Sequence, residues 1–86
     1  MERYRIHVAG CTEQEILTYC RNTLDSCSIQ RQTGIWHGVP EESFVIELLK
    51  EKTFLIPVMA ICIELKEKFR QEAVIYTAET IRGEVC

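Results

Sequence analysis

The chain is poor in the residues from which hydrolytic centres are usually assembled. It has a single aspartate, Asp25, and only two histidines, His7 and His37. A Ser-His-Asp set is therefore hard to build, because Asp25 falls on the polar face of a predicted helix. Five cysteines are present, but no two are spaced C-x-x-C, so the knuckle of a structural zinc site is missing. There is no Walker loop and no dinucleotide fingerprint. The longest apolar run, Phe54 to Ile63, is about half of what a membrane-spanning helix requires. Met1 to Arg5 lead directly into a strand pattern, with no apolar leader segment. These absences lead to the expectation of a cytoplasmic protein with reduced thiols, no metal, no cofactor and no membrane association. Cys20, Cys27 and Cys62 sit at apolar positions of predicted helices and read as small core residues, whereas Cys11 and Cys86 read as more exposed.

What is present is ordinary globular material. Of 86 residues, 47% are hydrophobic and 27% charged, which supports one core and argues against disorder. The length predicts a single domain over residues 1–86. The net charge of −3 makes nucleic acid an unlikely partner, although Arg3, Arg5 and Arg31 could form a local basic patch.

Residues 3–9 alternate, with Tyr4, Ile6 and Val8 on one side and Arg3, Arg5 and His7 on the other, as a half-buried strand should. Thr12 and Glu15 fit a capping box, and Ile16, Leu17, Cys20, Leu24 and Cys27 follow at helical spacing, predicting a helix over 13–26. Residues 29–36 read as a polar edge strand containing Gly34. A turn is expected at 37–42, where Gly38 permits an unusual backbone angle and Pro40 blocks strand pairing. Residues 43–49 are apolar on nearly both faces, as a central strand should be. Val58 to Arg70 predict a second helix, with Pro57 in its first turn and a stripe of Leu55, Val58, Met59, Cys62, Leu65 and Phe69. Ile56, Ile61 and Ile63 lie outside that stripe. A fourth strand is expected at 73–78, followed by a tail over 79–86.

The order β-α-β-β-α-β predicts a ferredoxin-like α+β fold: a four-stranded antiparallel sheet, strands 1 and 3 central, both helices on one face. Either the Val45 set or the Phe44 set of strand 3 would then face away from the helices. Both choices leave apolar area uncovered, which predicts a homo-oligomer. Candidate interface residues are Arg3, Arg5, His7, Ile56, Ile61, Ile63, Ile81 and Val85, with the 79–86 tail as an exchanged or interface segment.

Several uses of this fold are excluded by motif. Strands 1 and 3 offer only Tyr4 and Phe44, short of the aromatic pattern of an RNA-recognition domain. Ala9-Gly10-Cys11-Thr12 supplies one cysteine where a heavy-metal domain needs two. The most site-like group is the turn, where Trp36 would form a flat platform and His37, Gly38, Glu41 and Glu42 polar contacts, with Arg31 nearby. The competing reading makes Trp36 a hydrophobic cap and the glutamates solvated turn residues.

Gly34-Ile35-Trp36-His37-Gly38, the strand start Glu42-Ser43-Phe44-Val45-Ile46-Glu47, and Phe69-Arg70-Gln71-Glu72-Ala73-Val74 together resemble a set of short, uncharacterised bacterial and phage proteins. These share a Gly-x-Trp-x-Gly hairpin, a Glu-Ser strand start and a Phe-x-Gln-Glu-(Ser/Ala)-Val helix exit, and the likeness spans residues 34–76. The resemblance implies a small ferredoxin-like domain and, through the phage association, an anti-defence protein that inhibits a host protein or sequesters a nucleotide-like signal. No catalytic residue carries over. The combined expectation is a self-associating binding protein without catalytic activity. The alternatives are a small enzyme using Cys11 or His37 and a purely structural oligomerisation or regulatory domain.

Overall fold

The computed structural model describes residues 1–83, the Trp36 side chain excepted. Val85 and Cys86, and with Glu84 the end of the expected tail, lie outside the described residues. The elements are β1 (Glu2–Ala9), α1 (Glu13–Thr23), β2 (Ser28–Trp36), β3 (Val39–Lys50), α2 (Leu55–Lys68) and β4 (Ile75–Thr80), with a 3-10 turn at Lys52–Phe54 before α2. The strands form one antiparallel sheet in the order β2-β3-β1-β4. This is the ferredoxin-like α+β arrangement, with β1 and β3 central as expected.

Alternation decides which face is which. Tyr4, Ile6 and Val8 of β1 are paired with Leu48, Ile46 and Phe44 of β3, and all six are buried. They pack in one cluster with Ile16, Tyr19 and Cys20 of α1 and Val58, Ile61, Cys62 and Leu65 of α2. The Phe44 set thus faces the helices. The opposite, open face carries Arg3, Arg5, His7 and Ala9 of β1 beside Leu49, Glu47, Val45 and Ser43 of β3. Ile75, Thr77 and Glu79 of β4 continue it on the other side.

Helix ends follow local chemistry. Thr12 and Glu15 make the reciprocal capping box: the Glu15 amide donates to Thr12 Oγ1 at 3.2 Å, and the Thr12 amide to Glu15 Oε1 at 2.9 Å. At the far end of α2, Arg70 takes φ 52, a left-handed conformation usually given to glycine. The Gln71 amide then donates to Lys66 O at 2.9 Å and the Arg70 amide to Glu67 O at 3.3 Å, closing a Schellman motif. Gln71 Nε2 also donates to Phe69 O at 3.0 Å, at the helix end. Gly10 (φ +73) takes a left-handed angle that favours glycine, and a Cβ there would also displace the Gln71 side-chain amide.

Four expectations are corrected. The β2–β3 connection is a two-residue turn, His37 (φ 50) and Gly38 (φ 78), the type I′ geometry that suits strand twist. Pro40 does not block pairing: it stands opposite Ile35 in the ladder. Above Ser43, β3 has a neighbour only in β2, and a proline is tolerated on such an edge. In α2 the buried stripe is Val58, Ile61, Cys62 and Leu65, so Ile61 is core (5% exposed) and Met59 is surface (46%). β4 starts at Ile75, two residues later than the pattern indicated, because Gln71 to Val74 are spent returning from the Schellman corner.

Candidate functional site

The open face of the sheet is not flat. At its upper end three small residues stand side by side: Ala9 of β1 pairs with Ser43 of β3, and Gly34 of β2 pairs with Glu41 of β3. Larger side chains rise around them. The result is a groove of about 200 Å³ lined by His7, Val8, Ala9, Gly34, Ile35, Glu41, Ser43, Ala73 and Ile75. Gly34 contributes by omission, since a Cβ at that position would meet no described atom within 4 Å. Its role is therefore space, not backbone conformation.

The groove has one acid, one imidazole and one hydroxyl. Parity places consecutive glutamates on opposite faces. Glu41 faces the groove with no ion-pair partner among the described residues. Glu42 faces the helix side, where its Oε1 lies 2.7 Å from Arg31 Nε. Arg31 Nη2 also lies 2.6 Å from Glu13 Oε2 at the start of α1, so Arg31 is a strut between helix and sheet. Further down the open face, Arg5 Nε donates to Glu47 Oε2 at 3.1 Å and Arg3 Nε lies 3.3 Å from Glu79 Oε1. Arg3 and Arg5 are thereby matched by carboxylates across the strands, and Arg31 lies on the other face, so the three do not form a basic patch.

Of the turn residues singled out from the sequence, only Glu41 lines the groove. His37 and Gly38 form the exposed tip of the hairpin. The Trp36 side chain lies outside the described residues. His7, expected at an interface, lines the groove beside Ile75, its partner in β4. Ser43, Gly34 and Ala73 were passed over as site residues. The signal was there in register: Ala9 stands opposite Ser43, and Gly34 lies two residues beyond Gln32, the β2 partner of Ser43, so small residues on three adjacent strands leave a hollow.

The thiols are poorly placed for nucleophilic work. Burial, and secondarily Glu15, hold the Cys11 pKa above its ordinary value. Burial, with Cys27 beside it, pushes Cys20 up to about 12, and burial alone raises Cys62. Neither Cys11 nor His37 lines the groove. Among the described residues no group of three His, Cys, Asp or Glu side chains is arranged to hold a metal ion, and no helix is long and apolar enough to cross a membrane.

No protein-family model matches the chain, and no curated protein matches it. Among solved structures it is similar to a phage SAM lyase in its apo state, with TM-score 0.74 and 26% identity. The match covers 91% of this chain and 78% of that one. The neighbour is an enzyme, and this overturns the expectation of a non-catalytic module. Its phage origin agrees with the resemblance carried by residues 34–76.

Proposed function

We propose that the protein is a lyase acting on S-adenosylmethionine, encoded by a phage and used against host defence. One observation carries the proposal: a chain with the fold of a phage SAM lyase has, on its open sheet face, a groove with an uncompensated carboxylate, Glu41. The substrate is a cation twice over in its methionine half, with a sulfonium and an α-ammonium. A lone carboxylate in a partly apolar groove attracts such a group, and Ile35 and Ile75 offer apolar contact to its methylenes.

The chemistry fits a site with few catalytic parts. A sulfonium is its own leaving group. When a carbon–sulfur bond breaks, the electron pair goes to sulfur and neutralises it, giving a thioether. The carbon is satisfied within the same molecule, by loss of a neighbouring proton or by attack of an internal nucleophile. Neither route needs a metal, an oxidant or an enzyme nucleophile. Glu41 holds the cationic end and His7 is the groove's proton acceptor. Ser43 supplies a hydroxyl for the substrate carboxylate. The groove holds the reacting end and not the whole nucleoside, since sites that enclose a drug-sized ligand run to about 300–1,000 Å³. Destroying the cell's methyl donor would disable host systems that depend on it, which is the anti-defence role. Self-association, expected from the surplus apolar surface, belongs to the same reading.

Incubation with S-adenosylmethionine, followed by mass spectrometry of the nucleoside products, tests it. The expected result is a neutral thioether nucleoside that accumulates with the wild type and is at least tenfold slower with Glu41→Gln. Absence of any conversion by the folded wild type would remove the lyase reading.

A further inference from the structure

α2 carries two apolar stripes, and the sheet covers one. The buried stripe is Val58, Ile61, Cys62 and Leu65. On the opposite side Ile56, Met59, Ala60 and Ile63 follow at i, i+3, i+4 and i+7, all exposed: Ile56 by 77%, Ile63 by 59% and Met59 by 46%. A helix packed on one face of a sheet normally turns charged residues outward. Here the first nine residues of α2, Leu55 to Ile63, carry no charge; it returns with Glu64, which lies beside Tyr19 of α1, and then Lys66, Glu67 and Lys68.

The stripe is symmetric about its own midpoint. If two copies cross antiparallel with the axis between Met59 and Ala60, Ile56 of one copy meets Ile63 of the other, and Met59 meets Ala60. A large side chain thus faces a small one on each side of the axis, which is how helix surfaces interdigitate. The same axis carries Lys52, in the turn before α2, to Glu67 of the other copy, twice. Neither Lys52 nor Glu67 has an ion pair within its own chain among the described residues. An isologous contact requires self-complementarity of this kind, and both the apolar and the charged positions satisfy it.

We infer that two copies of this chain pair antiparallel through the outer face of α2, with Ile56, Met59, Ala60 and Ile63 as the contact and Lys52–Glu67 pairs at its ends. The helices lie on the far side of the sheet from the groove, so this pairing leaves both grooves open. The contact is small beside the roughly 1,600 Å² of a standard interface, so the association is weak and visible in the micromolar range and above. It is independent of the lyase reading, because it is measured without substrate.

Sedimentation equilibrium from micromolar to millimolar concentration reads it directly. The wild type is expected to associate. Ile56→Glu combined with Ile63→Glu sets like charges against one another across the axis and should shift dissociation at least tenfold toward monomer. These positions are exposed, so the circular dichroism spectrum should not change. Lys52→Glu should weaken association severalfold, and adding Glu67→Lys should restore it, because the exchanged charges still meet. A wild type that stays monomeric at millimolar concentration overturns the proposal. So does association that survives the double glutamate variant, which would place the contact on the open sheet face or elsewhere. Failure of the charge exchange to rescue Lys52→Glu overturns the antiparallel axis.

Discussion

Gly34→Val separates the groove from the fold more sharply than loss of a charged residue can. Gly34 lies on the edge strand β2 opposite Glu41, without a left-handed backbone angle, and its missing Cβ would meet nothing within 4 Å. The fold therefore has no need of glycine there. Replacing it removes a flexible residue from a strand interior, worth about 0.5–1 kcal/mol against alanine. A β-branched residue adds to that in a strand, on a scale spanning about 1 kcal/mol. For a domain of this size each kcal/mol moves Tm by about 4–8 °C, so a rise of about 2–16 °C is expected. The same three carbon atoms project into a groove of only about 200 Å³, on the face that carries Glu41 and Ser43. Substrate should be displaced, with a loss in kcat/KM of at least tenfold, equivalent to about 1.4 kcal/mol. Thermal melting and product formation are measured on the same sample. A higher Tm with unimpaired turnover would refute the groove as the site. A lower Tm would refute the account of Gly34 as a spacer.

Two further outcomes test the framework. Arg70→Gly should stabilise by about 0.5–1 kcal/mol, because the left-handed angle at φ 52 costs an arginine and not a glycine; denaturant titration with an unchanged m value would show it, and destabilisation would refute the Schellman corner. Cys20 and Tyr19 are pushed up to about 12 from 9.0 and 10.0, chiefly by burial, so the folded state holds their protons longer than the unfolded chain. Their contribution is complete below about pH 9 and is lost as pH rises toward 12. Unfolding midpoints should therefore fall across that window, and Cys20→Ala should make the fall shallower; an unchanged slope would show that Cys20 is not buried as described.

The strand order was legible from the β-α-β-β-α-β succession, and the helix-facing set of β1 from alternation alone, because Tyr4, Ile6 and Val8 leave no choice of face. β3 was ambiguous for the same physical reason that it is central: Val45 is 4% exposed although no helix covers it, so both of its faces look like core. α2 misled through its symmetry. Two apolar stripes on one helix give the period of 3.6 twice, and local spacing cannot say whether Ile61 or Met59 meets the sheet. The hairpin misled through Pro40. Its effect depends on whether a neighbouring strand needs the missing amide, which is a property of the β1–β3 register and not of residues 37–42. The groove was least legible, because its parts come from β1, β2, β3 and the approach to β4, and its depth is made by side chains that are absent.

The expectation of a non-enzyme failed for a chemical reason. It counted the parts that hydrolases, zinc enzymes and thiol enzymes require, and found a single aspartate, Asp25, and no C-x-x-C pair among five cysteines. Those parts exist to activate a poor nucleophile or a poor leaving group. On the proposed lyase reading, a sulfonium substrate would bring a good leaving group and its own atoms would satisfy the broken bond, so the protein would have only to select a conformer and neutralise charge. Fixing a reactive conformer can supply about 7–11 kcal/mol of barrier lowering without any covalent role for the enzyme. The absence of nucleophile and metal motifs therefore discriminates between classes of reaction, not between enzyme and binding protein.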